Sequence, residues 1–117
     1  MSLLLVDDDE MSSQIFGYIL SDEGYEVDFA YTGSSAIDKI SSFRCYDLVL
    51  LDFVLPDMSG HDVANKIKIV NPNLKIILIT GHEKNDEPLE PRYERIMQKP
   101  IPPDILIKTI AEILGRD

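Results

Sequence analysis

Residues 48–81 read LVLLDFVLPDMSGHDVANKIKIVNPNLKIILITG, and this stretch predicts a strand, a helix and a second strand in succession. Its two apolar runs, Leu48–Leu51 and Lys75–Ile79, are short and nearly continuous, as expected of strands buried on both faces. Between them, apolar residues recur at the spacing of a helix with one buried face, at Val63, Ile67 and Val70. Strands joined by a helical crossover must run parallel, so the stretch predicts a βαβ unit.

The same alternation of short apolar runs and amphipathic stretches covers the whole chain, and no repeat or linker marks a second domain. We therefore expect one domain over residues 1–117. Right-handed crossovers between parallel strands give a doubly wound α/β fold, with a five-stranded parallel sheet and helices on both faces. The other predicted strands are Leu3–Val6, Val27–Ala30 and Ile96–Gln98, and the other predicted helices contain Met11, Ile15 and Tyr18, Ser34–Ile40, and Leu106, Ile110 and Ile113.

The crossover over His82–Arg95 has a poor helical pattern. It contains Pro88 and Pro91, and its only large apolar residues are Leu89 and Tyr93. Proline removes a backbone donor and clashes with the preceding turn, and a helix with little apolar surface has little to bury. We therefore expect the fourth helix to be short or irregular.

The composition describes a small acidic unit. With 117 residues, 44% of them hydrophobic, the chain can bury a core. Its formal net charge of −10 disfavours direct binding to nucleic acid or anionic membranes and favours cations and basic partners. Cys45 is the one cysteine, so we expect no internal disulfide, a buried apolar Cys45 and a reducing, cytoplasmic location. The sequence lacks a signal-peptide pattern and an apolar run of about 18 residues, which predicts a soluble protein.

Polar groups follow four of the predicted strands, at the edge where open parallel sheets bind ligands. These groups are Asp7-Asp8-Asp9-Glu10 after the first strand, Asp52 after the third, Thr80-Gly81 after the fourth and Lys99-Pro100 after the fifth. Three carboxylates at neighbouring strand ends would repel by about 3 kcal/mol per pair at ~5 Å in an effective dielectric of ~20. Mg²⁺, which prefers oxygen ligands, offsets such repulsion, and Lys99 can neutralise one carboxylate or bind a phosphoryl group.

Each of these groups taken alone has an ordinary structural explanation. An acidic run commonly marks a solvated face or a helix N-terminus, and we assign Asp9 to that role. Asp52 could cap a turn, and isolated residues such as Thr80 and Lys99 are commonly at the surface. Their joint occurrence at the ends of successive parallel strands is what predicts a site.

The same segments resemble the motifs of response-regulator receiver domains of two-component signalling, of the chemotaxis-regulator type. The resemblance covers nearly the whole chain and is carried by Val6-Asp7-Asp8, Leu48–Asp52 with Pro56–Gly60, Ile79-Thr80-Gly81 and Lys99-Pro100. It implies a flavodoxin-like fold with strand order 2-1-3-4-5 and a cis Lys99-Pro100 bond. It also implies that a histidine kinase or phosphotransfer protein phosphorylates Asp52, and that the domain then regulates a downstream partner or effector domain.

The resemblance further implies a role for each residue of the site. Asp7, Asp8, Asp52 and the main-chain carbonyl of Val54 would hold Mg²⁺, while Thr80 and Lys99 would contact the phosphoryl group. On this view the protein is a phosphoacceptor that assists its own phosphorylation and dephosphorylation, and not an enzyme acting on a separate substrate.

The sequence also departs from the family pattern. Ile96 stands three residues before Lys99, where the family commonly has an aromatic switch residue, and Pro91-Arg92-Tyr93-Glu94 replaces the usual Gly-Ala segment. We therefore expect activation to be read out through the loop after the fourth strand and the His82–Arg95 segment, with a homodimer on the last helix as the alternative. His61 and His82 lack the spacing of metal ligands, and we expect both at the surface.

Two other functions are compatible with parts of the pattern. A Mg²⁺-dependent phosphatase or phosphotransferase with Asp52 as its nucleophile would need a second acid two residues later, where Val54 stands. A flavin-binding module of the same fold would need a hydroxyl-rich or Gly-rich phosphate loop after the first strand. That position holds aspartates, which repel phosphate.

Overall fold

The computed structural model describes residues 1–42, 45–81 and 93–116, and these residues form five strands and four helices. In chain order the elements are β1 (Ser2–Val6), α1 (Glu10–Asp22), β2 (Glu26–Ala30), α2 (Gly33–Ser41), β3 (Leu48–Asp52), α3 (Gly60–Val70), β4 (Lys75–Thr80), β5 (Arg95–Gln98) and α4 (Pro103–Leu114). The predicted strands are confirmed to within one residue at each end. The irregular helix predicted over His82–Arg95 falls mainly on residues 82–92, which lie outside the described residues.

The five strands form one parallel sheet in the order β2-β1-β3-β4-β5, which confirms the doubly wound α/β fold. The register pairs Val6 with Leu51 and Asp52 with Ile79, so the last residues of the central strands lie side by side. The chain leaves β1 and β3 in opposite directions along the sheet, and such a switch point opens a crevice at the carboxyl edge.

Each face of the sheet carries its own hydrophobic core, because successive side chains of a strand point to opposite faces. Leu4, Val6, Val49, Leu51, Ile76 and Leu78 pack against Ala36 and Ile40 of α2 and Val63, Ala64 and Ile67 of α3. Leu3, Leu5, Leu48, Leu50 and Ile77 pack on the opposite face against Leu20 of α1 and Leu106 and Ile110 of α4. The continuous apolar runs of β3 and β4 are thereby explained, since both of their faces are covered.

Helix α1 contacts the sheet with a different face from the one predicted. Met11, Ile15 and Tyr18 are 73%, 55% and 77% exposed, so the expected buried stripe lies in solvent. The buried residues are Ser13, Gly17 and Leu20, which repeat at the same spacing on the opposite side of the helix. A Cβ on Gly17 would lie 2.4 Å from Phe29 Cζ, so small residues let the helix pack closely against β2.

The position of Cys45 also differs from the prediction. It was expected to be buried, but it is exposed in the connection between α2 and β3. The general tendency of free cysteines to be buried does not apply at a surface connection.

None of the helices in the described part of the chain is long and apolar enough to cross a lipid bilayer.

Candidate functional site

Backbone hydrogen bonds beyond the strand ends fix the residues that follow β1, β3 and β5. The N–H of Asp7 donates to the Ala30 carbonyl at 3.1 Å, and the N–H of Phe53 donates to the Ile79 carbonyl at 2.8 Å. The N–H of Lys99 donates to the Thr80 carbonyl at 2.7 Å. The sheet therefore extends one residue further at each of these positions and holds the polar residues at one edge.

Three predicted metal ligands come together at this edge. Carboxylate oxygens of Asp7, Asp8 and Asp52 all lie within 4.8 Å of one another. Asp52 is buried, Asp7 is half-buried and Asp8 is exposed, so the cluster opens to solvent on the Asp8 side. Three carboxylates with one open side match the preference of Mg²⁺ for a few carboxylate ligands and retained waters.

Lys99 binds two of the three carboxylates. Its Nζ lies 2.9 Å from Asp52 Oδ2 and 3.5 Å from Asp7 Oδ2. The Lys99-Pro100 peptide is cis, as the resemblance implied. Three carboxylates and one ammonium leave the cluster with a net charge of about −2, which a divalent cation would balance.

The pKa values of this ion pair are shifted in the same direction. Burial raises the pKa of the Asp52 carboxyl, and the hydrogen bond and charge of Lys99 only partly oppose this, while the nearby Asp7 adds to it. The pKa of Lys99 is raised as well: burial alone would lower it, but the hydrogen bonds and negative charges of Asp52 and Asp7 outweigh burial. Two carboxylates thus compete for one ammonium, and the buried one carries most of the desolvation cost.

The remaining predicted site residues surround this pair in different ways. The N–H of Val54 donates to Asp52 Oδ1 at 3.4 Å, which places the Val54 backbone next to the Asp52 carboxylate. Thr80 is buried at the end of β4, one residue beyond the Ile79 that pairs with Asp52. Asp9 is not part of the cluster: its carboxylate accepts from the N–H of Ser12 at 3.2 Å and caps α1, as predicted.

The segment from Pro56 to Gly60 orients α3 against the end of β3. The N–H of Gly60 donates to the Phe53 carbonyl at 2.7 Å, and a Cβ on Gly60 would lie 2.7 Å from the Asp52 carbonyl oxygen. Ser59 caps α3 by accepting from the N–H of Asp62. Asp57 accepts from the N–H groups of Gly33 and Ser34 at 2.8 and 2.9 Å, and these bonds lower its pKa. The motif therefore connects the site to the first turns of α2 and α3.

An aromatic cluster that the sequence did not predict lies next to the site and is formed by Phe53, His61 and Tyr93. His61, predicted at the surface, is half-buried, and its ring meets the Phe53 ring edge-on at 4.9 Å between centroids. Its Nδ1 and the Tyr93 hydroxyl are hydrogen bonded at 2.5 Å, and Tyr93 is only 7% exposed. Because His61 directly follows Gly60, its place near the site could have been predicted from the sequence. Its contact with Tyr93 could not, because the two residues are 32 positions apart in the chain. His82 lies outside the described residues.

The family model that matches this chain is that of the response regulator receiver domain, and the match covers residues 3–111. The chain is 31% identical over 119 residues to the cell cycle transcriptional regulator CtrA of Caulobacter vibrioides, an alignment that covers 99% of this chain and 51% of CtrA. The chain spans about half or less of the length of the first curated relatives it matches.

Solved structures of response regulators are similar to this chain in both fold and sequence. A response regulator receiver domain protein (CheY-like) from Methanospirillum hungatei is 30% identical with a TM-score of 0.88, and the match covers 97% of this chain and 93% of that one. The response regulator protein TrrA from Thermotoga maritima, solved in complex with Mg(2+)-BeF, is 32% identical with a TM-score of 0.86. That match covers 96% of this chain and 97% of TrrA.

Proposed function

This chain belongs to the response regulator receiver domains of two-component systems, and on that premise we propose that Asp52 is its phosphoacceptor. Receiver domains are regulatory phosphoacceptor switches, so one residue of the site is expected to accept the phosphoryl group. The observation that supports Asp52 most is its position: it is the buried carboxylate of the cluster and the one Lys99 binds at 2.9 Å. We propose residues 1–117 as the receiver unit.

Asp7, Asp8 and Asp52, with the main-chain carbonyl of Val54, are the residues that we propose to hold Mg²⁺. The three carboxylates within 4.8 Å of one another supply hard anionic oxygens, and the cluster's excess negative charge favours a divalent cation. When bound, Mg²⁺ would neutralise charge on the incoming phosphoryl group and make its phosphorus more electrophilic. Asp8 is the exposed member of the cluster, so it can be substituted at little cost to the core.

The proposed reaction transfers a phosphoryl group from a phosphohistidine to Asp52. A carboxylate oxygen of Asp52 forms the new P–O bond while the P–N bond of the donor breaks, and the electron pair of that bond returns to the imidazole. Before transfer, Lys99 holds the carboxylate in the crevice. After transfer, the Asp52 carboxyl group no longer carries a negative charge. The negatively charged phosphoryl oxygens then become the ion-pair partner of the Lys99 ammonium. We propose that Thr80 contacts the same oxygens from the end of β4.

We propose a histidine kinase or phosphotransfer protein as the donor and an effector domain or protein as the recipient of the signal. Relatives such as CtrA are named transcriptional regulators and are about twice as long as this chain, which is the arrangement of a receiver joined to an effector. A net charge of −10 makes this unit itself a poor nucleic-acid or membrane binder, so such binding would belong to the partner. We propose that it acts in the cytoplasm and assists only its own phosphorylation and dephosphorylation.

Phosphorylation by a small donor tests the assignment of Asp52. The protein incubated with acetyl phosphate and Mg²⁺ should gain the mass of one phosphoryl group, and the gain should disappear with EDTA. Asp52→Asn should remain unmodified. The matched control is Asp57→Asn, an exposed aspartate five positions later that binds the first turn of α2 and should leave phosphorylation intact. Modification of Asp52→Asn at the wild-type rate would show that another residue is the acceptor.

A further inference from the structure

We infer that Phe53, His61 and Tyr93 couple the phosphorylation state of Asp52 to the chain that enters β5. In this role His61 and Tyr93 are positioning residues for the output, and neither takes part in phosphoryl transfer. The inference rests on the proposed function of Asp52. It is carried by three consecutive contacts in the described structure, none of which involves a predicted site residue other than Asp52.

The first contact is between the acceptor backbone and the first turn of α3. Phe53 follows Asp52 directly, and its carbonyl accepts from the N–H of Gly60 at 2.7 Å. The missing Cβ of Gly60 allows this approach, since an added Cβ would lie 2.7 Å from the Asp52 carbonyl oxygen and 2.8 Å from Phe53 Cα. With no space between them, a shift of the Asp52 backbone displaces the start of α3, where His61 is located.

The second contact is between the His61 ring and its two aromatic neighbours. The Phe53 ring meets it at 89°, with 4.9 Å between centroids, so the side chain after the acceptor limits where the imidazole can lie. The Tyr93 hydroxyl is hydrogen bonded to His61 Nδ1 at 2.5 Å. Because Tyr93 is 7% exposed, water competes little for this bond, and a displacement of His61 acts on Tyr93.

The third contact connects Tyr93 to the sheet. Tyr93 packs in the core on the α2 and α3 face, and the next residue, Glu94, donates its N–H to the Ile76 carbonyl at 2.8 Å. β5 then begins at Arg95. Ile96, at the position of the family's aromatic switch residue, has neither a ring nor a hydroxyl, whereas Tyr93 three residues earlier has both. The described contacts therefore assign to Tyr93 a coupling role that Ile96 is not equipped to fill.

The experiment compares the wild type with variants that remove the hydrogen bond between His61 and Tyr93 and keep an aromatic ring. Tyr93→Phe keeps the buried ring, and His61→Phe keeps a ring edge-on to Phe53. Tyr46→Phe is the matched control, because it removes another tyrosine hydroxyl bond, to Asp28 Oδ2 at 2.6 Å, away from the site. Each protein is titrated with beryllium fluoride in excess Mg²⁺, and amide hydrogen exchange is followed at Glu94 and Arg95.

In the wild type and in Tyr46→Phe, we expect saturation with beryllium fluoride to change these exchange rates by about fivefold or more, the lower end of the usual range of coupling. In Tyr93→Phe and His61→Phe the change should fall below about twofold, and the affinity for beryllium fluoride should shift because linkage is reciprocal. The double variant should lose no more than either single variant, since both remove one interaction. If Tyr93→Phe fails to fold, His61→Phe carries the test, because its side chain is only half-buried.

Three results would overturn the inference. A full response in both variants, with beryllium fluoride bound, would overturn it and leave the proposed function intact. A loss in Tyr46→Phe equal to that in Tyr93→Phe would do the same, because it would show a general effect of destabilisation. If the folded wild type does not bind beryllium fluoride at Asp52, the proposed function fails and the inference fails with it.

Discussion

At the scale of single residues, the site depends on one ammonium group shared by two carboxylates. Lys99 lies 2.9 Å from the buried Asp52 and 3.5 Å from Asp7. Its charge partly offsets the effect of burial, which raises the pKa of Asp52. We propose that the same ammonium binds the oxygens of an incoming phosphoryl group. An exposed ion pair would have neither property, because water would screen it.

Lys99→Gln should slow phosphorylation of Asp52 by acetyl phosphate by at least about tenfold, because it removes the charge that stabilises the transferring group. The rate is measured by intact mass against time in saturating Mg²⁺. Lys39→Gln is the control, since Lys39 pairs with Asp28 at 2.9 Å in a comparably shielded place away from the site. Equal rates for Lys99→Gln and the wild type would remove Lys99 from the reaction.

The lowered pKa of Asp28 makes part of the protein's stability depend on pH. Burial raises its pKa, but hydrogen bonds from Tyr46, Lys39 and the Phe29 N–H outweigh burial and lower the pKa to about 2. The unfolded chain has a pKa near 3.9 at this residue, so it binds the proton more readily than the folded protein does. The stabilisation from Asp28 is therefore complete above about pH 4 and is lost as the pH falls from about 4 to about 2.

Urea unfolding of the wild type and Asp28→Asn at several pH values tests this. The wild type should be the more stable protein at pH 6, and the difference in unfolding free energy should shrink steadily below about pH 4. A difference that does not change with pH would mean that the ionised form of Asp28 contributes nothing to stability.

At the scale of elements, the connection from β3 to α3 determines how Asp52 is held. Asp52 ends β3, Ser59 caps α3, and Gly60 brings the first turn of α3 onto the backbone of Asp52 and Phe53. Because the contact at Gly60 is between backbone atoms, neither side can move without displacing a strand or a helix. The arrangement makes the start of α3 part of the site although it contributes no charged group to it.

Gly60→Ala should lower the free energy of unfolding by about 1–3 kcal/mol, the usual cost of overpacking, and should also slow phosphorylation. The added Cβ would lie 2.7 Å from the Asp52 carbonyl oxygen, so the acceptor strand or the helix must shift. Gly33→Ala should cost less, because the atoms nearest to its added Cβ, Met58 Cγ at 2.6 Å and Val63 Cγ2 at 2.7 Å, belong to side chains and not to the backbone. Equal losses of stability in urea for the two variants would contradict this account.

At the scale of the whole molecule, the chain carries a formal net charge of −10 and gathers three carboxylates at one edge of its sheet. The two hydrophobic cores cover the faces of the sheet and lie apart from this edge, so the repulsion between the carboxylates does not disturb their packing. A bound divalent cation would relieve the repulsion only in the folded protein, since the unfolded chain separates the acids.

Mg²⁺ should therefore raise the melting temperature, with a stabilisation of about 1.4 kcal/mol at ten times its dissociation constant. Asp8→Asn should flatten this response by removing one ligand of the cluster. Asp22→Asn makes the same change of net charge at the other end of α1 and should respond as the wild type does. Scanning calorimetry with and without Mg²⁺ measures all three proteins, and an undiminished response in Asp8→Asn would exclude Asp8 from the metal site.

The strands, their parallel pairing and the edge at which the polar residues collect could all be predicted from local sequence patterns. Continuous apolar runs bounded by polar residues mark buried strands locally, and the topology then brings their ends together without further information. The family motifs added the cis Lys99-Pro100 bond, which the structure contains, and the proposal that Asp52 is the acceptor. The tertiary structure alone decided which side of α1 is buried, because Met11, Ile15 and Tyr18 have the same spacing as Ser13, Gly17 and Leu20. The choice depended on the space left beside Phe29, and the contact of His61 with Tyr93 depended on how α3 packs against the residues that precede β5. Both are packing relations between residues distant in the chain, which no local pattern encodes.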